Sequence, residues 1–590
     1  MSFPVIPQNL SISAMRSSGY RDTAHALAEL IDNSVQSGLE STNEVTQVEV
    51  ICVEEAKSSS KRPSIAKIAV LDNAGGMSVE TLRKALQFGN GSRLDRKNQS
   101  GIGKFGMGLP NSSISQGERV EVWSWQNGQV IYSYLDVDEI RRGELIEVPE
   151  PTSTTIPSKW LRLFMNGISK SGTLVVWSKL DRITWKQSTT LLRHVEFISG
   201  RIYRRFINSK RVQIRLSAYD NVETEPVSRW ESFVRPNDPM YLMTGTNSPS
   251  PYDQKQAFEP FEATVRISVG FRENVHDVLV RASICKPEVR ASGGGAPIGK
   301  HAKRNQGVSL LRADRELELS KSFEVVDHRE RWWGIEVEFP PALDEIFGVT
   351  NNKQAATGFL RMILSDDADA ENMSVVDYKR QLEQEGDPRL PMYAISEEIE
   401  KLLKSLRRAV AKMREGDTIA SRVETLASTI EKIATESVKK RRERIGNTGL
   451  SDKQEDEPEE ARTEKLTADI VDDGVETKEA RNIAVDYVKR HTKFRIRHAD
   501  LPTSAMFDVA ASGGVIVLTF NTRHEIHSKV FSEFSKTDDI NPLAREVLSM
   551  MIAWARLEDE AGSPRIRSNL EEVRESWGRM AKDFFEAEEG

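Results

Sequence analysis

Apolar positions in the first 215 residues switch repeatedly between helical and extended spacing. Over residues 22–38, Ala24, Leu27, Leu30, Ile31 and Ser34 fall on one helical face, and Gly38 reads as the C-cap. Two strands are expected next. TQVEVICVEE alternates Val48, Val50 and Cys52, and SIAKIAVLDNAGG carries an apolar run from Ile65 to Leu71. GERVEVWSWQNGQVIYSYLDV holds two alternating runs joined by Asn127-Gly128, a hairpin signal. TLVVWSKLD, from Thr173, is another strand. Helices mixed with hairpins predict an α+β layer rather than a purely parallel sheet.

Beyond this, residues 217–260 are irregular and rich in Pro, Asn and Ser, as at a domain boundary. A second α+β segment follows, with strands in FEATVRISVGF and DVLVRASICK. GIEVEFPPAL comes after a Gly-rich basic loop, and the segment ends near Leu364. Ile395, Ile399, Leu402, Leu403, Leu406, Val410 and Met413 then recur at helical spacing. After Gly416-Asp417 the period resumes with Ile419, Val423, Leu426, Ile430 and Ile433, predicting a helical hairpin with an apolar seam. SDKQEDEPEEARTEK reads as a solvated, charged linker. The remainder, to Gly590, predicts strands around Phe507 and at Val515–Phe520, then two closing helices.

Composition narrows the class without naming a function. Charged residues make up 29% and hydrophobic residues 38%, at mean hydropathy -0.48. Apolar stretches such as Val547–Ala555 fall short of the ~20 residues that a bilayer span needs. The first twenty residues lack a basic flank followed by an apolar core, so no secretory signal is expected. Cys52 and Cys285 alone cannot build a disulfide framework or a cysteine zinc site, and they fit a reducing cytoplasm. Net charge is -7, so any nucleic-acid contact must use local basic patches.

Three short motifs carry the candidate chemistry. In Glu29-Leu30-Ile31-Asp32-Asn33-Ser34, Glu29 and Asn33 lie four apart and project from one helical face. Such a pair can activate a water and coordinate a hard cation, although a solvent-facing polar stripe has the same spacing. In Val70-Leu71-Asp72-Asn73-Ala74-Gly75-Gly76-Met77, an apolar strand ends in an acid followed by a glycine turn. A buried carboxylate there can accept the exocyclic amine of adenine; an ordinary Asx turn is the alternative. Gly101-Ile102-Gly103-Lys104-Phe105-Gly106-Met107-Gly108-Leu109 satisfies GxGxxG literally but follows no strand, and it lacks the Walker Lys-Ser/Thr pair. It remains a Gly-rich loop whose amides can cradle phosphates.

Taken in this order, the motifs resemble the GHKL (Bergerat-fold) ATPases: DNA gyrase, MutL proteins, ninety-kilodalton heat-shock chaperones, sensor histidine kinases and MORC proteins. ELIDNS matches the family's Glu-x-x-x-Asn box, DNAGGM its Asp box and GKFGMGL its second glycine box. Gly172-Thr173 matches the Gly-Thr closing the adenine pocket. The resemblance implies an α+β Bergerat sandwich binding ATP and Mg²⁺. Glu29 would be the general base, Asn33 the Mg²⁺ ligand, and Asp72, supported by Thr173, the adenine selector. Gly76 and Met77 would line the base, and Gly103, Lys104, Phe105, Gly106, Met107, Gly108 and Leu109 would wrap the phosphates. Ala74 and Gln36 depart from the usual Gly and Asp.

An ATPase domain followed by a second α+β segment is similar to the MORC and MutL arrangement, in which a transducer supplies a cation to the γ-phosphate. FGVTNNKQ nominates Lys353. The implied division is an ATPase domain at 1–215, a transducer at 216–365, a hairpin or coiled coil at 390–445, a linker at 446–466 and a C-terminal α+β domain at 467–590. The resemblance further implies ATP-driven homodimerisation, with a lid at about 89–100, and the hairpin and final unit could hold a constitutive dimer, intramolecular packing of the hairpin being the alternative. DNA is the expected partner, supported by three basic stretches: Arg201–Arg211, Lys300–Arg304 and Lys439–Arg444. His524 and His527 read as structural, so no intrinsic nuclease is expected, and cutting would fall to a partner nuclease in DNA metabolism or anti-phage defence. A chaperone-like ATPase acting on protein clients is the alternative.

Overall fold

A computed structural model describes residues 8–17, 19–41, 45–56, 62–88, 108–220, 226–272, 274–325, 328–350, 355–387, 389–415, 429–446, 449–472, 475–501, 503–531 and 542–587. The proposed lid, residues 103–107 of the second glycine box and Lys353 lie outside them.

The first sheet has eight strands: β1 (Thr46–Glu55), β2 (Ser64–Asp72), β3 (Gly117–Gln126), β4 (Gln129–Asp136), β5 (Thr152–Ser153), β6 (Gly172–Leu180), β7 (Val212–Asp220) and β8 (Val227–Phe233). Their order is β5-β4-β3-β6-β2-β1-β7-β8, with β1 and β7 parallel and the other neighbours antiparallel. The β3–β4 turn places Asn127 at φ 49° and Gly128 at φ 81°, the left-handed pair that a two-residue hairpin requires. Alternation sends Val48, Val50 and Cys52 into a core shared with the helices Thr23–Ser41 and Ser188–Ile202. Ile51 and Val53 face the opposite side, against Trp123, Trp125, Trp160 and Phe164. The boundary expected at 215 falls inside β7, because β7 and β8 complete this sheet. Gly38 is no C-cap. The helix continues to Ser41, and any side chain at Gly38 would overlap Thr46.

A five-stranded sheet follows, formed by β9 (Phe258–Phe271), β10 (Asn274–Cys285), β11 (Val308–Arg312), β12 (Arg315–Ser320) and β13 (Trp333–Phe339), in the order β12-β11-β13-β10-β9. The expected helical hairpin is not the packing unit. On the helix Leu390–Glu415, the seam Ile395, Ile399, Leu402, Leu403, Leu406 and Val410 is buried in this second core. Ala434 and Val438 of the helix Thr429–Ile445 instead join a third core, around the sheet of β14 (Phe494–Ala499), β15 (Phe507–Ser512) and β16 (Val515–Asn521). Of the second expected seam, Ile419, Val423 and Leu426 lie outside the described residues, and Ile433 is exposed.

The expected charged linker is also structured, as the helices Leu450–Gln454 and Glu459–Asp472. Asp452 is fully buried between Lys493, 2.9 Å away, and Arg556, 2.7 Å away. Burial alone would raise its pKa, but these two cations hold the carboxyl well below its ordinary range. The closing helices, Pro542–Asp559 and Pro564–Ala587, form as expected.

Candidate active site

The helix Thr23–Ser41 buries polar residues alongside its apolar face. Glu29 is 2% exposed and Asp32 1%, whereas Asn33 is open to solvent. A solvated stripe therefore does not describe Glu29. Its carboxylate meets the start of the helix Gly108–Gln116, where a Cβ on Gly108 would come within 2.5 Å of Oε2. Only glycine permits that approach, and the helix N-terminus favours a negative charge beside it. Leu109 turns its side chain into the core.

The second group forms where β2 and β6 end side by side, with Asp72 paired to Thr173. Asp72 is 8% exposed. Its Oδ1 accepts from the amides of Ala74 (3.0 Å) and Thr173 (3.1 Å), and Oδ2 accepts from the Ser34 hydroxyl at 2.7 Å. Desolvation pushes its pKa up to about 6, against the lowering effect of those three donors. Gly76, at φ +65°, packs so closely that a Cβ would overlap the carbonyl oxygen of Trp125. The Met77 amide donates to Ser124 Oγ (2.8 Å), which lies 3.0 Å from Thr173 Oγ1. Asp72, Gly76, Met77 and Thr173, 101 residues apart at their extremes, thus share one hydrogen-bonded corner. Ala74 fits because its contribution is a backbone amide, which any residue supplies.

Sequence reasoning missed Ser34 and Ser124 as parts of this corner. A serine on a buried helical face and another on a strand look like ordinary packing until the sheet order places them around Asp72. It also missed Asp32, whose carboxylate is held by Arg315 of β12 and by the Tyr203 hydroxyl at 2.8 Å.

The basic stretch Arg201–Arg211 largely serves the protein itself. Arg204, fully buried, pairs with Glu316 (2.8 Å) and Glu336 (2.7 Å) of the five-stranded sheet. Arg201 binds Glu316, and Arg205 binds Asp314, Glu336 and Glu338. Burial would raise the Glu336 pKa, but Arg204 and Arg205 hold it below its ordinary value. The Lys300–Arg304 stretch lies on the helix Pro297–Arg304 rather than a loop, with Arg304 stacked 3.5 Å over Phe197 and Lys300 exposed. His524 caps the helix Glu525–Lys529, and His527 lies 2.9 Å from His498.

Among the described residues, no group of three or more His, Cys, Asp or Glu side chains is placed to hold a metal ion. No helix among the described residues is long and apolar enough to cross a membrane.

Comparison with known proteins bears on the N-terminal part of the chain. Residues 20–173 match the family described as histidine kinase-, DNA gyrase B-, and HSP90-like ATPase. The chain is also similar to Protein MICRORCHIDIA 5 of Arabidopsis thaliana, 30% identical over 167 residues, covering 26% of this chain and 22% of that protein. The match therefore spans about a fifth of that relative's length. The N-terminal part of the chain is thus similar to the GHKL-type ATPases, and among them to a MORC protein.

Proposed function

We propose that the protein is a Mg²⁺-dependent ATPase that closes as an ATP-driven homodimeric clamp. The observation that carries this reading is the buried Glu29 carboxylate seated against the glycine that opens the phosphate-side helix, one helical turn from the exposed Asn33. Glu29 polarises the attacking water, a role typically worth about 10²–10⁴-fold. Asn33 gives one oxygen to Mg²⁺, the triphosphate supplying others. Asp72 accepts the adenine amine, supported by Thr173, with Gly76 and Met77 along the base. Gly103 to Leu109, with Lys104, wrap the phosphates, and Lys353 meets the γ-phosphate charge, the main electrostatic lever in phosphoryl transfer.

The clamp acts on DNA, in DNA metabolism or anti-phage defence alongside a partner nuclease. Lys210, Arg211, Lys300, Lys303, Lys439, Lys440 and Arg444 remain exposed and supply the local positive charge. An apolar row on the last helix, Ile566, Val573, Trp577, Met580 and Phe584, supports a second self-contact.

The test is Glu29→Ala, assayed for binding of a non-hydrolysable ATP analogue, for turnover, and for size with and without duplex DNA. Retained binding, lost turnover and a nucleotide-dependent dimer are expected. Undiminished turnover would refute the assignment of Glu29, and no dimer with nucleotide would sink the clamp. Stimulation by unfolded protein rather than by DNA would favour a chaperone-like role.

A further inference from the structure

Asp32 lies between Glu29 and Asn33 on the helix, yet its partner comes from 283 residues away. Arg315 donates from Nε to Oδ1 and from Nη2 to Oδ2, both at 2.7 Å, while its Nη1 holds the carbonyl of Glu316 at 2.9 Å. The two side chains are 3% and 0% exposed. The Tyr203 hydroxyl adds a contact to Oδ1 at 2.8 Å and reaches the Ala28 carbonyl, one residue before Glu29, at 2.7 Å.

The hairpin presenting Arg315 is held at its turn and on its flanks by paired charges. Arg312 and Arg315 face each other across β11 and β12, and two residues close the turn, Ala313 at φ 50° and Asp314 at φ 65°. Arg312 is clasped by both oxygens of Asp344, at 2.6 and 2.9 Å, and Glu316 is held by Arg201 and Arg204. A carboxylate this deeply buried is stable as an anion only while paired. The turn bearing Glu29 and Asn33 is thus tied to the five-stranded unit through Asp32.

We propose that Arg315 is a positioning residue for ATP hydrolysis, pinning Asp32 so that the Glu29–Asn33 turn is competent only when the second unit is in place. This rests on the reading of Glu29 as general base. It differs from the role given to Lys353, because Arg315 acts through the helix from beneath and not on phosphate.

The test compares Arg315→Lys with Arg205→Met, which weakens the same interface without touching the Glu29 helix, and with Glu29→Gln. Each full-length variant is measured for kcat and KM, for affinity to a non-hydrolysable ATP analogue, and for thermal midpoint. Arg315→Lys keeps the charge but loses the paired geometry, and small misplacements of reacting groups cost about 10–100-fold. Its kcat should fall by that factor with analogue affinity unchanged, and Arg205→Met should keep its kcat. If Arg315→Lys cannot be purified folded, the double variant Asp32→Asn/Arg315→Met removes both charges; it should bind the analogue and still turn over slowly. Wild-type kcat in Arg315→Lys, or in the double variant standing in for it, overturns the proposal. So does a kcat loss that appears only together with lost affinity and midpoint, or equally in Arg205→Met. Undiminished turnover in Glu29→Gln would instead remove the reading of Glu29 on which the proposal rests.

Discussion

Gly76→Ala offers a quantitative check on the corner around Asp72, because Gly128 provides its control. Both glycines sit at positive φ, +65° and +81°, but a Cβ at Gly128 meets nothing within 4 Å. At Gly76 it overlaps the carbonyl oxygen of Trp125. That carbonyl cannot easily yield. Trp125 is 1% exposed, β3 is hydrogen-bonded between β4 and β6, and the Trp125 indole donates to the Ser169 carbonyl at 3.0 Å. A left-handed alanine costs about 1–2 kcal/mol. Part of this is offset by about 0.4–1 kcal/mol from the stiffer unfolded chain. Gly128→Ala should therefore destabilise by about 1.5 kcal/mol or less. Forcing a methyl group into a packed contact adds about 1–3 kcal/mol, so Gly76→Ala should cost about 1–4.5 kcal/mol. Shifting Trp125 also moves Ser124, which receives the Met77 amide, so nucleotide affinity should drop in Gly76→Ala alone. Urea unfolding of both variants, with analogue titration, decides the matter. Equal destabilisation with unchanged affinity would refute the close approach of the Asp72 turn to β3.

The remaining predictions address other links. With its pKa pushed up to about 6, Asp72 is ionised at neutral pH but about nine-tenths protonated one unit below its pKa, where it loses acceptor capacity. Nucleotide affinity should therefore weaken about tenfold between roughly pH 7 and pH 5, and Asp72→Asn should flatten that titration. Leu403→Ala, at a fully buried position, should destabilise the second unit by about 2–5 kcal/mol in chemical denaturation, whereas a solvent-facing hairpin seam would show little change. Met580→Glu with Phe584→Glu alters residues 59% and 76% exposed, so the thermal midpoint should hold while any self-association through the last helix, read by sedimentation, is lost. Arg204→Met removes the fully buried cation shared by Glu316 and Glu336, leaving them Arg201 and Arg205, and should cost up to about 3–5 kcal/mol in unfolding experiments.

Where periodicity and turn chemistry act locally, the sequence was sufficient. The Glu29 helix, the Asn127-Gly128 hairpin and the strand ending at Asp72 follow from apolar spacing and from residues that tolerate left-handed φ. The grouping of Asp72, Gly76 and Thr173 was legible only through resemblance, since their contacts depend on β6 lying beside β2. Sheet order is a long-range property that no short window contains. The helix Leu390–Glu415 shows the same limit: its apolar seam was visible, but not the sheet that receives it.

Charge misled more than hydrophobicity did, and for a physical reason. A run such as RIYRRFINSKR gives no indication of whether its cations face water or buried acids, because both settings use the same residues. Burial of Arg204 becomes affordable only when Glu316 and Glu336 arrive from strands more than a hundred residues away. The same holds for Asp452, which sits in a polar tract yet is buried against Lys493 and Arg556. Between the ATPase domain and the five-stranded unit, the described contacts include an array of paired charges centred on Arg204, Arg205 and Arg315. Such an interface depends on geometry more than area, since removing one member exposes its partner to the full cost of burial. Arg315 is the member of that array that reaches Asp32 on the Glu29 helix, so its loss, rather than that of Arg205, is the one expected at the site.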